Sequence, residues 1–225
     1  MRIVYLHQYF STPEGSSGIR SYEMARRMVQ AGHEVFMITS ERSGKFSTKK
    51  KWYQTEEAGI KVYWTPVLYS NHMGYLQRIQ AFFQYAWRAA WKAASFDADI
   101  IFATSTPLTI ALPAVYASKK NKIPLVFEVR DLWPELPIAI GAIKNPLLIA
   151  VARWLERFAY RNSARVIALS PGMKAGVIKS GYPENKVSVI PNSCDLDLFD
   201  VDPNDGNFLR KQYNWLQDRP LVVYI

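Results

Sequence analysis

The chain has 225 residues, of which 49% are hydrophobic and 14% aromatic, enough apolar side chain to exclude a disordered or fibrous polypeptide. Its net charge of +9 is divided unevenly: residues 1–183 hold 24 basic and 12 acidic side chains, a net +12, while residues 184–225 are net −3. A basic body of this kind suits nucleic acid, phosphorylated ligands or an anionic membrane, and excludes none of the three by itself.

In chain order the sequence alternates short β-branched or aromatic runs with helical stretches, the pattern of an α/β fold with a parallel sheet. Strands are expected at Arg2 to Leu6, Glu34 to Thr39, Ile60 to Thr65, Ile100 to Ala103, Leu125 to Val129, Arg165 to Ala168 and Val187 to Ile190, seven in one open sheet. Helices are expected between them at Gly18 to Ala31, Tyr75 to Ser95, Leu108 to Lys120, Asn145 to Asn162 and Pro171 to Lys179, with Gly32 and Gly181 as stop signals. From Pro191 the chain turns polar and acidic through Asp195, Asp197, Asp200, Asp202 and Asp205, which reads as a linker. A short helix over Phe208 to Trp215 and the opening of a buried strand at Leu221 to Ile225 follow.

The lone cysteine, Cys194, and the lack of any Asn-x-Ser/Thr sequon fit a reducing cytoplasm. The opening MRIVYLHQYF has no signal-peptide layout. The most apolar stretch, Leu132 to Ala152, is broken by Glu135, Lys144 and prolines, so no membrane-spanning segment is expected.

Gly15, Ser16, Ser17 and Gly18 lie between the first strand and the first helix, where small residues and free backbone N–H groups suit a phosphate; the same residues also fit an ordinary serine-capped turn. Their spacing matches neither a dinucleotide fingerprint nor a Walker loop. Ligand sites of open α/β sheets gather at the carboxyl ends of strands, which selects His7 after the first strand and the Arg130-Asp131-Leu132-Trp133-Pro134-Glu135 run after the fifth. Asp131 or Glu135 could act as a base or orient an acceptor hydroxyl, and Arg130 could hold a phosphate; an Arg130–Asp131 ion pair beside a packed Trp133 is the alternative. His33 opens a strand and is read as structural.

The helix beginning at Tyr75 shows Leu76, Ile79, Phe83, Trp87, Ala90 and Ala94 at helical spacing, expected to face the core. Its other face sets Phe82, Tyr85 and Trp91 among Arg78, Arg88 and Lys92, with no acidic residue from Gly59 to Phe96, and Lys49, Lys50 and Lys51 precede it. Aromatic residues beside cations suit the headgroup level of an anionic membrane, or else a buried helix beside a solvated basic loop. No zinc spacing, helix-turn-helix or RNP-like strand supports nucleic-acid binding, no metal-ligand cluster is visible, and no Gly-x-Ser-x-Gly elbow is present.

Taken together, the segment from Met1 to Thr39, the RDLWPE run and VIALSPGMKAGVIKSGYPENKVSVIPNSCDLDLF resemble the amino-terminal domain of the retaining GT-B glycosyltransferases of family 4. The likeness covers residues 1 to about 200. Two places depart from the family pattern: Asn192-Ser193-Cys194-Asp195 stands for the usual Asn-Gly-Val-Asp, and Arg130-Asp131 stands where many members have a histidine.

The resemblance implies a Rossmann-like domain over residues 1–200 that shapes the acceptor site, with residues 201–225 as linker and truncated start of a donor-binding domain otherwise missing. It implies Gly15 to Gly18 near the donor diphosphate, a nucleotide-sugar donor with no tightly bound cofactor, and little activity for this piece alone. The RDLWPE run is most similar to enzymes that build bacterial surface polysaccharides such as O-antigen or capsule, which implies a lipid-linked saccharide acceptor at the inner face of the cell membrane. A membrane-recruiting subunit of a split transferase and a GT-B sugar-nucleotide epimerase are the other readings.

Overall fold

In the computed structural model the described residues are 1–15, 18–42, 51–70, 72–141, 143–194, 196, 200–202, 204–213, 215–217 and 219–222. They form two compact units, Met1–Pro191 and Asn192–Ile225. The division falls where the sequence turns polar and acidic. In the second unit the described regular element is one helix, Asp205–Gln212.

The first unit is built on one sheet of eight strands: β1 Arg2–Leu6, β2 Glu34–Glu41, β3 Tyr53–Glu57, β4 Ile60–Pro66, β5 Ile100–Thr104, β6 Leu125–Val129, β7 Arg165–Ala168 and β8 Val187–Val189. Their order across the sheet is β3-β4-β2-β1-β5-β6-β7-β8. Every pairing is parallel except β3 with β4. The central strands are apolar on both faces, as a sheet covered on both sides requires. Val4, Leu6, Phe36 and Ile38 enter one core, while Ile3, Tyr5, Val35 and Met37 enter the other. This alternation is the two-residue period of a strand.

Seven of the eight strands are those marked by the sequence. The eighth, β3, is an edge strand whose YQTEE sequence has no apolar alternation and is half exposed. It is held as a hairpin on β4 by the turn Ala58-Gly59, both at positive φ (49° and 80°), the twist that a two-residue connection needs. Trp64 anchors it, with Nε1 donating to Thr55 Oγ1 at 2.9 Å and the ring stacked on Tyr53.

Among the described residues, six α-helices accompany the sheet: α1 Arg20–Gln30, α2 Tyr75–Ala93, α3 Ala111–Asn121, α4 Glu135–Ala139, α5 Pro146–Arg161 and α6 Pro171–Lys179. α5 and α6 begin as proline-led helices capped by the side chains of Asn145 and Ser170. Side chains of α2, α3, α5 and α6 pack into the larger core, and those of α1 into the opposite one.

The expected orientation of α2 requires correction. Leu76, Phe83 and Trp87, read as core-facing, are 80%, 54% and 70% exposed, and the buried face is instead Ala81, Tyr85, Ala86, Ala89 and Ala93. Alanines let the helix lie close to the sheet. Tyr85, read as a membrane-contact residue, is fully buried and donates its hydroxyl to the Ile38 carbonyl at 2.8 Å, so it cannot reach a surface. The error is a rotation: a row of alanines around Tyr85, not the stripe of Leu76, Phe83 and Trp87, marks the inner face.

Candidate functional site at the sheet switch point

The strand order reverses direction between β1 and β5, the switch point at which open α/β sheets hold their ligands beyond the carboxyl ends of the strands. Four segments converge there: His7-Gln8 after β1, Ser40 to Arg42 ending β2, Ser105-Thr106 after β5 and Arg130-Asp131 after β6. The backbone joins them. His7 N donates to the Ile38 carbonyl at 3.2 Å, and the Gln8 carbonyl accepts from Thr39 Oγ1 and Ser40 Oγ at 3.1 and 2.8 Å. Arg130 N donates to Ser105 Oγ at 3.0 Å, and Thr106 Oγ1 donates to Asp131 Oδ2 at 2.7 Å. The Asp131 carboxylate is therefore held in one orientation at the rim by Thr106, and among the described residues the alternative Arg130–Asp131 ion pair does not form.

Beneath the rim, β6 carries a completely buried carboxylate, Glu128. Arg20, in the first turn of α1, reaches it with Nη2 at 2.7 Å and Nε at 3.3 Å on the same oxygen, Oε1. Thr104 Oγ1 donates to the other oxygen, Oε2, at 2.9 Å, and the Tyr5 hydroxyl lies 3.2 Å from Thr104 Oγ1. This network ties α1, β1, β5 and β6 together as the floor of the site. Sequence reasoning passed over it, although one signal was present: a carboxylate in the apolar run LVFEV must find a partner when its strand is central.

His7 is 3% exposed and its Nδ1 has no hydrogen-bond partner among the described residues; the neighbouring Gln8 is fully buried with both amide atoms likewise unpartnered. Burial first, then the nearby Arg130 and Arg42 guanidiniums, lower the His7 pKa to about 3, so its imidazole is neutral at physiological pH. Arg42 lies 5.1 Å over the Tyr9 ring, which packs on Tyr69, which in turn stacks on Phe82. Phe82, expected at a membrane, is thus the end of an aromatic ladder running into the rim.

Glu135 takes a different place. It opens α4 as an exposed residue, and its carboxylate acts on Glu156 and Tyr160. Burial first, and Glu135 second, raise the Glu156 pKa to about 7, partly offset by the Tyr160 hydroxyl. Between about pH 4.5 and 7 the folded chain then holds a proton that the unfolded chain has released, so stability falls as pH rises through this window. Glu156→Gln is expected to leave stability unchanged near pH 4 and to raise it by up to about 3 kcal/mol at pH 8, read by urea unfolding at both pH values.

At the other edge of the site, Gly15 N donates to the Thr12 carbonyl at 2.9 Å, and a Cβ at Gly15 would stand 2.0 Å from Ser11 Oγ. A side chain there would have to displace the Ser11 hydroxyl and would crowd the Thr12 carbonyl, 3.2 Å away. Gly18 has open space around its Cα, and α1 begins with no side-chain cap. Ser16 and Ser17 lie outside the described residues, as do Lys49 and Lys50, while Lys51 is exposed. Among the described residues no group of His, Cys, Asp and Glu has the arrangement of a metal site, and no helix is long and apolar enough to cross a membrane.

An open, mainly parallel sheet with polar side chains gathered at its switch point defines a Rossmann-like domain of the GT-B type. Residues 15–193 match the Glycosyl transferase 4-like domain, and the chain belongs to that family. The same fold is found in Anabaena HepE in complex with UDP-glucose (TM-score 0.59, 18% identity, covering 96% of this chain and 50% of that one). It is found also in sucrose-phosphate synthase from Thermosynechococcus elongatus (0.63, 13%, 95% and 52%) and in an E. coli trehalose-6-phosphate protein bound with UDP-2-fluoro glucose (0.63, 11%, 94% and 54%). At these identities the likeness is one of fold, and the chain spans about half the length of each of these proteins. Among curated proteins none matches the sequence.

Proposed function

We propose that the chain is the acceptor-side half of a retaining glycosyltransferase that moves a sugar from a nucleotide-sugar to a lipid-linked saccharide in surface-polysaccharide synthesis such as O-antigen or capsule, at the cytoplasmic face of the membrane. On this reading residues 1–200 form the acceptor domain, residues 201–225 lead into the donor-binding domain, and the half alone is inactive. The observation that carries it is the pair of buried, unpartnered polar side chains at the switch point, His7 Nδ1 and the Gln8 amide, beside Arg130 and the fixed Asp131. Buried polar groups are almost always satisfied, so this pair supports a polar ligand or an ordered water reaching the switch point, and a hydroxyl-rich saccharide fits that demand. The UDP-sugars held by proteins of the same fold supply the donor class.

In the reaction the acceptor oxygen bonds to the anomeric carbon while the bond to the donor diphosphate breaks. Asp131 orients that acceptor hydroxyl and takes its proton, and Arg130 stabilises the charge gathering on the departing diphosphate. Glu135, exposed at the start of α4, plays a lesser part, and Gly15 and Gly18 stand near the diphosphate. In the full-length protein, assayed with a panel of nucleotide-sugars and a lipid-linked acceptor, Asp131→Ala is expected to lower kcat by about 100-fold or more. Thr106→Val, which frees the carboxylate without removing it, is expected to fall between Asp131→Ala and the unaltered protein. Full transfer by Asp131→Ala would remove Asp131 from the mechanism.

A further inference from the structure

The rotation of α2 leaves an outward stripe that the core does not use: Leu76, Phe83, Trp87 and Trp91, at 80%, 54%, 70% and 52% exposure. It runs the length of a 19-residue helix, about 28 Å. It is continued sideways onto α3, which packs alongside α2. Trp87 meets Trp91 edge to face at 6.0 Å, Trp91 meets the exposed Tyr116 at 5.5 Å, and Lys120 Nζ lies 5.5 Å over the Trp91 ring. Exposed large apolar residues in this number are a surface with a use, not the scatter normal on a soluble domain.

The charges around the stripe are of one sign. α2 carries Arg78, Arg88 and Lys92, α3 carries Lys119 and Lys120, and neither helix contains an acidic residue. Arg78, Arg88 and Lys92 turn away from the stripe, to carbonyls of Met73 and Pro66 and, for Lys92, to 4.2 Å over the Tyr63 ring, so the outward cations beside the stripe are those of α3. Lys119 and Lys120 are exposed. Tryptophan and tyrosine favour the headgroup level of a bilayer, and lysine and arginine favour its anionic surface.

We infer that the outer face of α2 and α3 is a docking surface for an anionic phospholipid bilayer, with α2 lying flat in the headgroup layer and Phe83, Trp87, Trp91 and Tyr116 entering it. This rests on the reading of a lipid-borne acceptor and gives it a geometry. α2 leads back from the end of β4 to the start of β5, so its N-terminal end, at Leu76, sits on the same edge of the sheet as the switch point. A membrane along this face therefore meets the rim at which the acceptor is used. It also moves the contact from Tyr85 and Phe82, which face inward, to side chains that face out.

The test is partition of the 225-residue chain onto vesicles with about 30% phosphatidylglycerol in phosphatidylcholine at low salt, against pure phosphatidylcholine. The chain is expected to bind the anionic vesicles selectively. Phe83→Ala/Trp87→Ala/Trp91→Ala is expected to reduce the partition coefficient at least about tenfold, and Lys119→Glu/Lys120→Glu about tenfold with a weaker salt dependence. All five side chains are exposed, and unchanged thermal unfolding of Trp87→Glu alone, tested beside them, separates lost binding from lost fold. Failure of the unaltered chain to bind, or equal binding by the triple variant, overturns the proposal. A chain that dimerises through this face, becoming monomeric on triple substitution without binding vesicles, overturns it also, in favour of a second copy. No acceptor or donor enters the measurement, so these outcomes leave the transferase reading to the Asp131 assay.

Discussion

Arg20→Ala is expected to destabilise the first unit by about 3–5 kcal/mol, the effect of leaving a buried carboxylate without its cation. Glu128 is wholly inaccessible and Arg20 is 15% exposed, so solvent screens the pair little. Removing the guanidinium strands Glu128 with one remaining hydrogen bond, from Thr104. The carboxylate then has to recruit water into the core.

The double variant Arg20→Met/Glu128→Gln separates two accounts of this pair. If the ion pair serves mainly to satisfy itself, the double variant recovers most of the lost stability, since charge and countercharge leave together. If it serves to fix α1 against β6, stability returns but the transfer proposed above does not, because the first turn of α1 borders the switch point. Urea unfolding of the three variants, set beside their activity in the full-length protein, reads both. The floor of the site is where the two accounts diverge.

The sheet was legible because a doubly covered strand must be apolar throughout, and RIVYL, LVFEV and RVIA admit little else. The edge strand was not, since YQTEE owes its place to a backbone turn at Ala58-Gly59 and to Trp64 across the ladder. Helix positions were legible from the alternation of segments and from the stop signals Gly32 and Gly181, whereas the caps at Asn145 and Ser170 were not read. The facing of α2 was not, because a stripe of large apolar residues and a stripe of alanines have the same period, and the sheet chose the one that allows closer approach. The carboxyl-end rule placed His7, Arg130 and Asp131 at the rim, the position they take in the fold. It passed over Ser105 and Thr106, which lie at the end of a neighbouring strand and act by orienting Arg130 and Asp131 rather than through any pattern of their own. Glu135 shows the converse: it shares a short motif with Asp131, yet one helical turn carries it towards Glu156.

The neutral state of His7 has the second large consequence, visible as a dependence of stability on acid. An unfolded histidine titrates near 6.5, whereas His7 in the folded chain does so at about 3. Between these values the unfolded chain binds a proton that the folded chain refuses, so the stability His7 supports is complete above pH 6.5 and is lost as pH falls towards 3. The loss attributable to this one group between pH 7 and pH 4 is about 3 kcal/mol. His7→Leu, close in size and unable to titrate, should flatten the profile by that amount while the carboxylates common to both proteins cancel in the difference. Arg130→Gln gives the companion result. Removing the larger of the two cationic influences should raise the His7 pKa, observable in the pH dependence of its imidazole carbon shifts, without ending its neutrality at pH 7, because burial is the first cause. A diphosphate drawn to Arg130 would act on His7 in the same direction as that substitution. The group that is inert towards protons in the free domain is therefore expected to respond to the donor, and a His7 titration unmoved by a saturating nucleotide-sugar in the full-length protein would place the diphosphate away from Arg130.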